Sequence, residues 1–266
     1  MTTLKSLKQP NCIYEEEGHS YIGLTDGKLW AGVSSVAELV SDPKEKTGAL
    51  MGWVAKLAGE HLEKNLLPET AYCQSEIDEI IKGAKSAYKT AGKEAQDIGT
   101  DTHEELENYI RAKIKNEEYS VKSNNPFISS ALSLFIEKTK YWKWIASELF
   151  VGRDDIEVAG RLDALARING VTTLIDFKVA NRISPNYLIQ TAGYVSCLEW
   201  MGMGVQERMI IRIPKTENLK IWDSKKRQYN EIPNELEFKK VETPYEWDKK
   251  VFENCRETYK WINANK

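Results

Sequence analysis

Asp163, Asp176 and Lys178 interrupt two apolar, strand-like segments, "GRLDALARI" and "VTTLIDFK", which are joined by Asn169-Gly170. Asn-Gly is a strong signal for a two-residue hairpin turn, because both central positions need positive φ. Such a turn sets Asp163 directly opposite Asp176 and Arg161 opposite Lys178. Alternation then gives Leu162, Ala164, Ala166, Ile168, Val171, Ile175 and Phe177 one face, which reads as core, and gives Asp163, Asp176 and Lys178 the other. Directly opposed strand residues have Cβ atoms roughly 5 Å apart, and like charges there destabilise a sheet. A divalent cation removes that repulsion, since Mg²⁺ and Mn²⁺ favour carboxylate oxygens. Lys178 shares the acidic face and is placed to reach a bound phosphate. The competing reading of Arg161, Asp163, Asp176 and Lys178 is a solvated, salt-bridged sheet face.

Other segments offer residues that could join such a site. In "IGTDTHEELENYI", Ile98, Leu106, Tyr109, Ile110 and Ile114 approximate a buried helical stripe, and His103 and Glu107 are neighbours on one face. Gly99 lies one turn earlier. Glycine inside a helix costs about 1 kcal/mol relative to alanine, which points to close approach of another element. Tyr187, Gln190 and Tyr194 share a face of a helix that opens with Ser184-Pro185, just after the hairpin. Glu148, on the preceding strand, could add a third carboxylate. Lys44, Lys46, Trp53 and Lys56 combine charge with an aromatic ring, as a clamp over a nucleic-acid strand would. The alternative for that segment is a packing subdomain with Trp53 buried.

These residues need a framework. The 266 residues are 41% hydrophobic and 29% charged with net charge −3, an ordinary globular composition. A small β-hairpin near the N-terminus precedes a helix capped by Ser34 or Ser35, and helical signals continue to about Ile114. Another helix follows Pro126. Strands are expected at about Trp144–Val151, Ile156–Ile168 and Val171–Lys178, then a helix from Ser184 to about Met203, strands in "QERMIIRIPK" and "NLKIWD", and a closing helix from Thr243-Pro244. The chain thus reads as α/β: a mixed central β-sheet flanked by helices, with a mainly helical N-terminal region over 1–125 and the sheet-bearing core over 126–266. No apolar run approaches the ~20 residues of a membrane span, and the start lacks a signal-peptide stretch. The four cysteines form no CxxC pair. They fit reduced thiols in a cytoplasmic protein and argue against an iron–sulfur cluster or a zinc site.

The series "GTDTH", Glu148, "GRLDAL", "LIDFK" and "YLIQTAGY" resembles the PD-(D/E)XK nuclease superfamily, in its RecB-like, phage exonuclease-like branch. The segments "GHSYIGL", "SSVAELV" and "LMGWVAK" resemble the leading part of the same proteins. The resemblance implies a restriction-endonuclease-like core in one nuclease domain. It implies a Mg²⁺- or Mn²⁺-dependent deoxyribonuclease, most simply an exonuclease on single-stranded ends, with a structure-specific endonuclease or a silent nucleic-acid-binding module as alternatives. It implies that Asp163 and Asp176 hold the cation with His103 and the Phe177 carbonyl. Lys178 would act on the attacking water and the phosphate, Glu148 would support the metal shell, and Gln190, Tyr194 and Tyr187 would position Lys178 and the DNA backbone. DNA is the implied partner, with no membrane, and with a recombination or single-strand-binding protein as a candidate. Leu162 stands where the superfamily's name has proline.

Overall fold

The computed structural model describes residues 4–41, 43–214, 218–223 and 228–265, with the side chains at 43–46, 49, 127, 219–223 and 229 outside that description. The chain forms two compact units, Met1–Ser41 with Thr102–Lys266, and Asp42–Asp101. In chain order the elements are β1 (Cys12–Glu15), β2 (Ser20–Gly23), β3 (Leu29–Gly32), α1 (Val33–Ala37), α2 (Pro43–Asn65), α3 (Gln74–Lys115), α4 (Pro126–Thr139), β4 (Lys143–Arg153), β5 (Val158–Ile168), β6 (Val171–Val179), α5 (Pro185–Trp200), β7 (Glu207–Ile213), β8 (Asn218–Asp223), β9 (Gln228–Pro233), β10 (Glu237–Lys240) and α6 (Tyr245–Ala264).

The larger unit carries a mixed sheet in the order β1-β2-β3-β5-β6-β7-β10, with β4 also paired to β5; β8 and β9 form a separate ribbon. The β3–β5 and β6–β7 pairs are parallel and the others antiparallel. The fold is therefore α/β, with helices on the sheet. Among the described residues, no helix is long and apolar enough to cross a membrane.

The β5–β6 hairpin turns at Asn169 and Gly170, both with positive φ, 51° and 89°. Its ladder keeps the register that turn dictates from Ile168↔Val171 to Ala164↔Ile175 and stops there, one step before Asp163 would meet Asp176. Beyond that point β6 continues on β7 alone, from Thr173↔Glu207 to Val179↔Ile213. On the same stretch β5 passes to β3, which it meets at Val158 and Ala159. Residues 160–163 of β5 belong to neither of these ladders, while β4 pairs with the other edge. A local opening in the sheet results.

Both faces of the hairpin are covered, unlike the solvated acidic face that alternation allows. On one side Phe177 stands edge-on to Phe135 of α4, 5.6 Å between ring centroids, and Phe135 packs with Tyr109 and Trp144. On the other, Leu165 and Leu174 are buried in a cluster with Ile189, Val195 and Leu198 of α5 and Phe252 of α6. Asp176 is only 1% exposed. Burying charge without a partner is costly, and Asp176 has its partner in Lys178 of the same strand.

Several elements differ from the sequence reading. A third strand, β3, follows the first hairpin. The pattern "LWAG" is too short to show that its partner lies more than a hundred residues away. Helix α1 starts at Val33 behind Gly32, with no side-chain cap from Ser34 or Ser35. The helical signals over 74–115 form one helix, in which Leu106, Tyr109 and Ile110 are buried but Ile114 is exposed. The compact units divide at 41/42 and 101/102; β1–β3 join the main sheet and the end of α3 packs in that unit. In the smaller unit Trp53 is 36% exposed, with its ring 3.9 Å from a Cβ placed at Gly92. Lys44 and Lys46 have side chains outside the described residues.

Gly160 marks the opening in the sheet. A Cβ there would lie 2.7 Å from Tyr194 Cε1 and 3.2 Å from Val33 Cβ, so the missing side chain lets α5 and α1 close on β5. We expect Gly160→Ala to destabilise the fold by about 1–3 kcal/mol through overpacking, read as a lower urea midpoint at unchanged m-value. An unchanged midpoint would mean that Tyr194 is free to move.

Candidate metal centre

Four elements deliver the site. His103 comes from α3, where the buried Leu106, Tyr109 and Ile110 hold its helix against the unit. Glu148 comes from β4, Asp163 from β5, and Asp176 and Lys178 from β6. Ligand-capable atoms of His103, Glu148 and Asp163 all lie within 4.8 Å of one another.

Glu148 reaches this group through unusual backbone. The β4–β5 ladder pairs Ser147 with Ala164 and Leu149 with Leu162, which leaves Glu148 and Asp163 at the same level between them. Glu148 has φ of 49°, in the left-handed region. A non-glycine residue there costs of order 1–3 kcal/mol, and such strain persists where the surroundings enforce it.

Asp163 stands where β5 leaves β6. Its Oδ2 accepts the Phe177 N–H at 2.6 Å, satisfying a donor for which the ladder has no acceptor. In an extended strand the N–H and C=O of one residue point to the same edge, so the Phe177 carbonyl borders the same opening. Burial drives the Asp163 pKa upward, against the pull of Lys178 and of the Phe177 N–H.

Asp176 is tied to Lys178. The lysine Nζ donates to Oδ1 at 2.9 Å and stands 2.8 Å from Oδ2, yet the buried Oδ2 receives no aligned hydrogen bond among the described residues. Burial pushes the Asp176 pKa up to about 6; Lys178 opposes this and Asp163 adds to it. On Lys178, burial favours the neutral amine, but Asp176 and Asp163 outweigh it and the pKa ends above the ordinary value. Lys178 therefore stays charged. Tyr187 lies beneath it, ring centroid 5.1 Å from Nζ.

Glu148 titrates near 7, raised by burial first and then by Asp163 and Glu107, with Arg161 and Arg111 pulling it down. Glu107, one turn after His103, pairs with Arg111. The His103 pKa is lowered by burial and then by Lys178, with Asp176 acting the other way. The ring is therefore neutral at neutral pH, with a lone pair free to coordinate. Gln190 and Tyr194 are buried, not on a wet helix face. Gln190 Nε2 donates to the Tyr194 hydroxyl at 3.2 Å, and burial together with Asp163 and Asp176 keeps that hydroxyl protonated.

Glu148 meets His103 and Asp163 in one close group, and Asp176, outside that group, is engaged by Lys178. Gly99 gives no close approach, since a Cβ there meets nothing within 4 Å. Lys44 and Trp53 belong to the other compact unit. Two neighbours of Glu148, Arg111 and Tyr21, had no motif to reveal them; spacing reveals Arg111 only through its place one turn beyond Glu107.

One imidazole and two carboxylates form a donor set suited to a hard or borderline divalent cation.

No protein-family profile and no curated relative matches the chain. Among solved structures, one described as the crystal structure of SSO0001 aligns over 47% of this chain and 54% of that one, with 12% identity and a TM-score of 0.24. The match spans about half the length of that protein, and a likeness this low carries no argument about function.

The raised pKa values give a sign to the pH dependence. Folded Glu148 and Asp176 titrate near 7 and 6, above their ordinary 4.5 and 3.8, and Asp163 shifts the same way. The folded state thus holds extra protons below about pH 6–7, and metal-free stability falls as pH rises through that window. The lowered pKa of His103 acts in the opposite direction but through a single group. We expect the melting temperature in EDTA to fall between pH 5.5 and 8. Glu148→Gln should recover about 1–2 kcal/mol at pH 8, after discounting for partial exposure, and should lose the stabilisation expected of Mn²⁺ in the native protein. A Mn²⁺ shift retained in full by the variant would remove Glu148 from the centre.

Proposed function

We propose that this protein is a metal-dependent nuclease of the PD-(D/E)XK type that hydrolyses DNA phosphodiester bonds, acting on single-stranded ends. The observation that carries the reading is the convergence of His103, Glu148 and Asp163 beside a lysine held charged by Asp176. Four separate segments contribute, and each pays for its place by burial, ion pairing or backbone strain. The order of the motifs, in a chain whose sheet is mixed α/β, supports the RecB-like assignment. The choice of DNA ends rests on that resemblance.

His103, Glu148 and Asp163 would hold Mn²⁺ or Mg²⁺, with the Phe177 carbonyl and Asp176 Oδ2 as further oxygens along the same opening. When bound, the cation supplies Lewis-acid polarisation of the phosphate and a water of lowered pKa. The remaining roles belong to the chain itself. Lys178 Nζ presents a fixed positive charge where charge develops on the phosphate oxygens. Asp176 fixes the direction of that ammonium, and the Tyr187 ring supports it from below. Gln190 and Tyr194 fill the face behind the carboxylates with donors and exclude water from it.

The test uses end-labelled linear and circular single-stranded oligonucleotides with Mn²⁺, Mg²⁺ or EDTA. Linear DNA should be degraded only with metal, and circles should survive. Lys178→Ala should lower kcat on the order of 10²–10³-fold, as removal of one preorganised charge donor does, and should keep the metal-dependent melting shift. Turnover near the native value in that variant, or cleavage that persists in EDTA, would overturn the proposal.

A further inference from the structure

Arg161 is a charged hairpin residue that this chemistry leaves unused. It lies two residues before Asp163 on β5, hence on the same side of the strand. Its side chain is 46% exposed, and Nε stands 4.0 Å from Glu148 Oε2, beyond hydrogen-bonding length. An exposed pair at that distance is weak. Among the described residues no hydrogen bond engages the guanidinium, so its N–H donors remain for a ligand.

The guanidinium is nevertheless held in place. Its central carbon sits 5.1 Å from the Tyr14 ring centroid. Tyr14 is backed by Tyr21 at 5.2 Å, and Tyr21 by Phe150 at 6.0 Å. Tyr21 and Phe150 in turn pack on the buried Cys12, Trp30 and Ala159. An aromatic floor anchored in the sheet thus carries a planar cation whose other side faces solvent. A stacked guanidinium loses less freedom when it binds, and its fork matches two phosphate oxygens.

We propose that Arg161, seated on Tyr14, is a binding residue for the nucleic-acid backbone and grips the phosphate next to the scissile one. The inference rests on the nuclease reading above and adds a contact to it. Arg161 Nε stands 4.0 Å from Glu148, which itself meets His103 and Asp163, so the arginine borders the donor group without being part of it. Its contribution then falls on binding more than on the chemical step.

Steady-state cleavage of a fluorescein-labelled single-stranded oligonucleotide in saturating Mn²⁺, over a range of KCl, reads this contact. Arg161→Ala should raise KM about tenfold with kcat within about threefold, and should reduce the slope of log KM against log salt by about one, the signature of a lost phosphate contact. Arg161→Lys should keep the slope and lose part of the affinity. Tyr14→Ala should raise KM. The Mn²⁺-dependent melting shift should be unchanged throughout. If Arg161→Ala does not fold, Arg161→Gln carries the same test. Native KM and salt slope in the variant overturn the inference while leaving the nuclease reading intact. So does a KM defect accompanied by a smaller Mn²⁺ melting shift, since Arg161 would then act through Glu148. Absence of cleavage by the native protein overturns both.

Discussion

Asp163 accepts the Phe177 N–H at 2.6 Å at the point where β5 parts from β6, and much of the larger unit is arranged around that parting. A continuous ladder would have set Asp163 against Asp176 and closed the sheet. Instead β6 is carried on by β7, and β5 is taken over at its start by β3. The carboxylate supplies the acceptor that the missing strand partner would have given. Gly160, with no Cβ to obstruct, lets Tyr194 and Val33 close the same gap from the helical side.

Carboxylates gathered in so apolar a place resist ionisation. Glu148 and Asp176 both titrate well above the ordinary carboxylate range, with burial as the leading cause and Asp163 adding to each. Lys178 compensates one of them directly. Glu148 is further held in a left-handed backbone conformation within an otherwise regular strand. Energy of this kind is tolerated because the flanking clusters are well filled: Phe135, Phe177 and Trp144 on one side, and Leu165, Leu174, Leu198 and Phe252 on the other. The same crowding raises the cost of ionising these carboxylates, a cost that any positive charge placed among them would lower.

What local sequence determines, it determines well. The Asn169-Gly170 turn needs only two residues with positive φ, and it set the β5–β6 register, which is visible in Ala164↔Ile175. The apolar alternation of β5 and β6, the Ser184-Pro185 start of α5 and the Leu106–Ile110 stripe of α3 also follow from short-range periodicity; the hairpin register grouped Asp163, Asp176 and Lys178, whereas only the resemblance of the motif series joined His103 and Glu148 to them. Tertiary structure decided the rest. That the hairpin ladder stops before Asp163, that Glu148 meets His103 and Asp163, and that Tyr14 supports Arg161 each depend on contacts between residues far apart in the chain. The parallel β3–β5 pairing joins positions more than a hundred residues apart, and no periodicity within either segment encodes it. Period and turn chemistry act over a few residues. Which edge a strand gives up, and which carboxylate then fills the gap, is settled only when distant segments compete for the same hydrogen bonds.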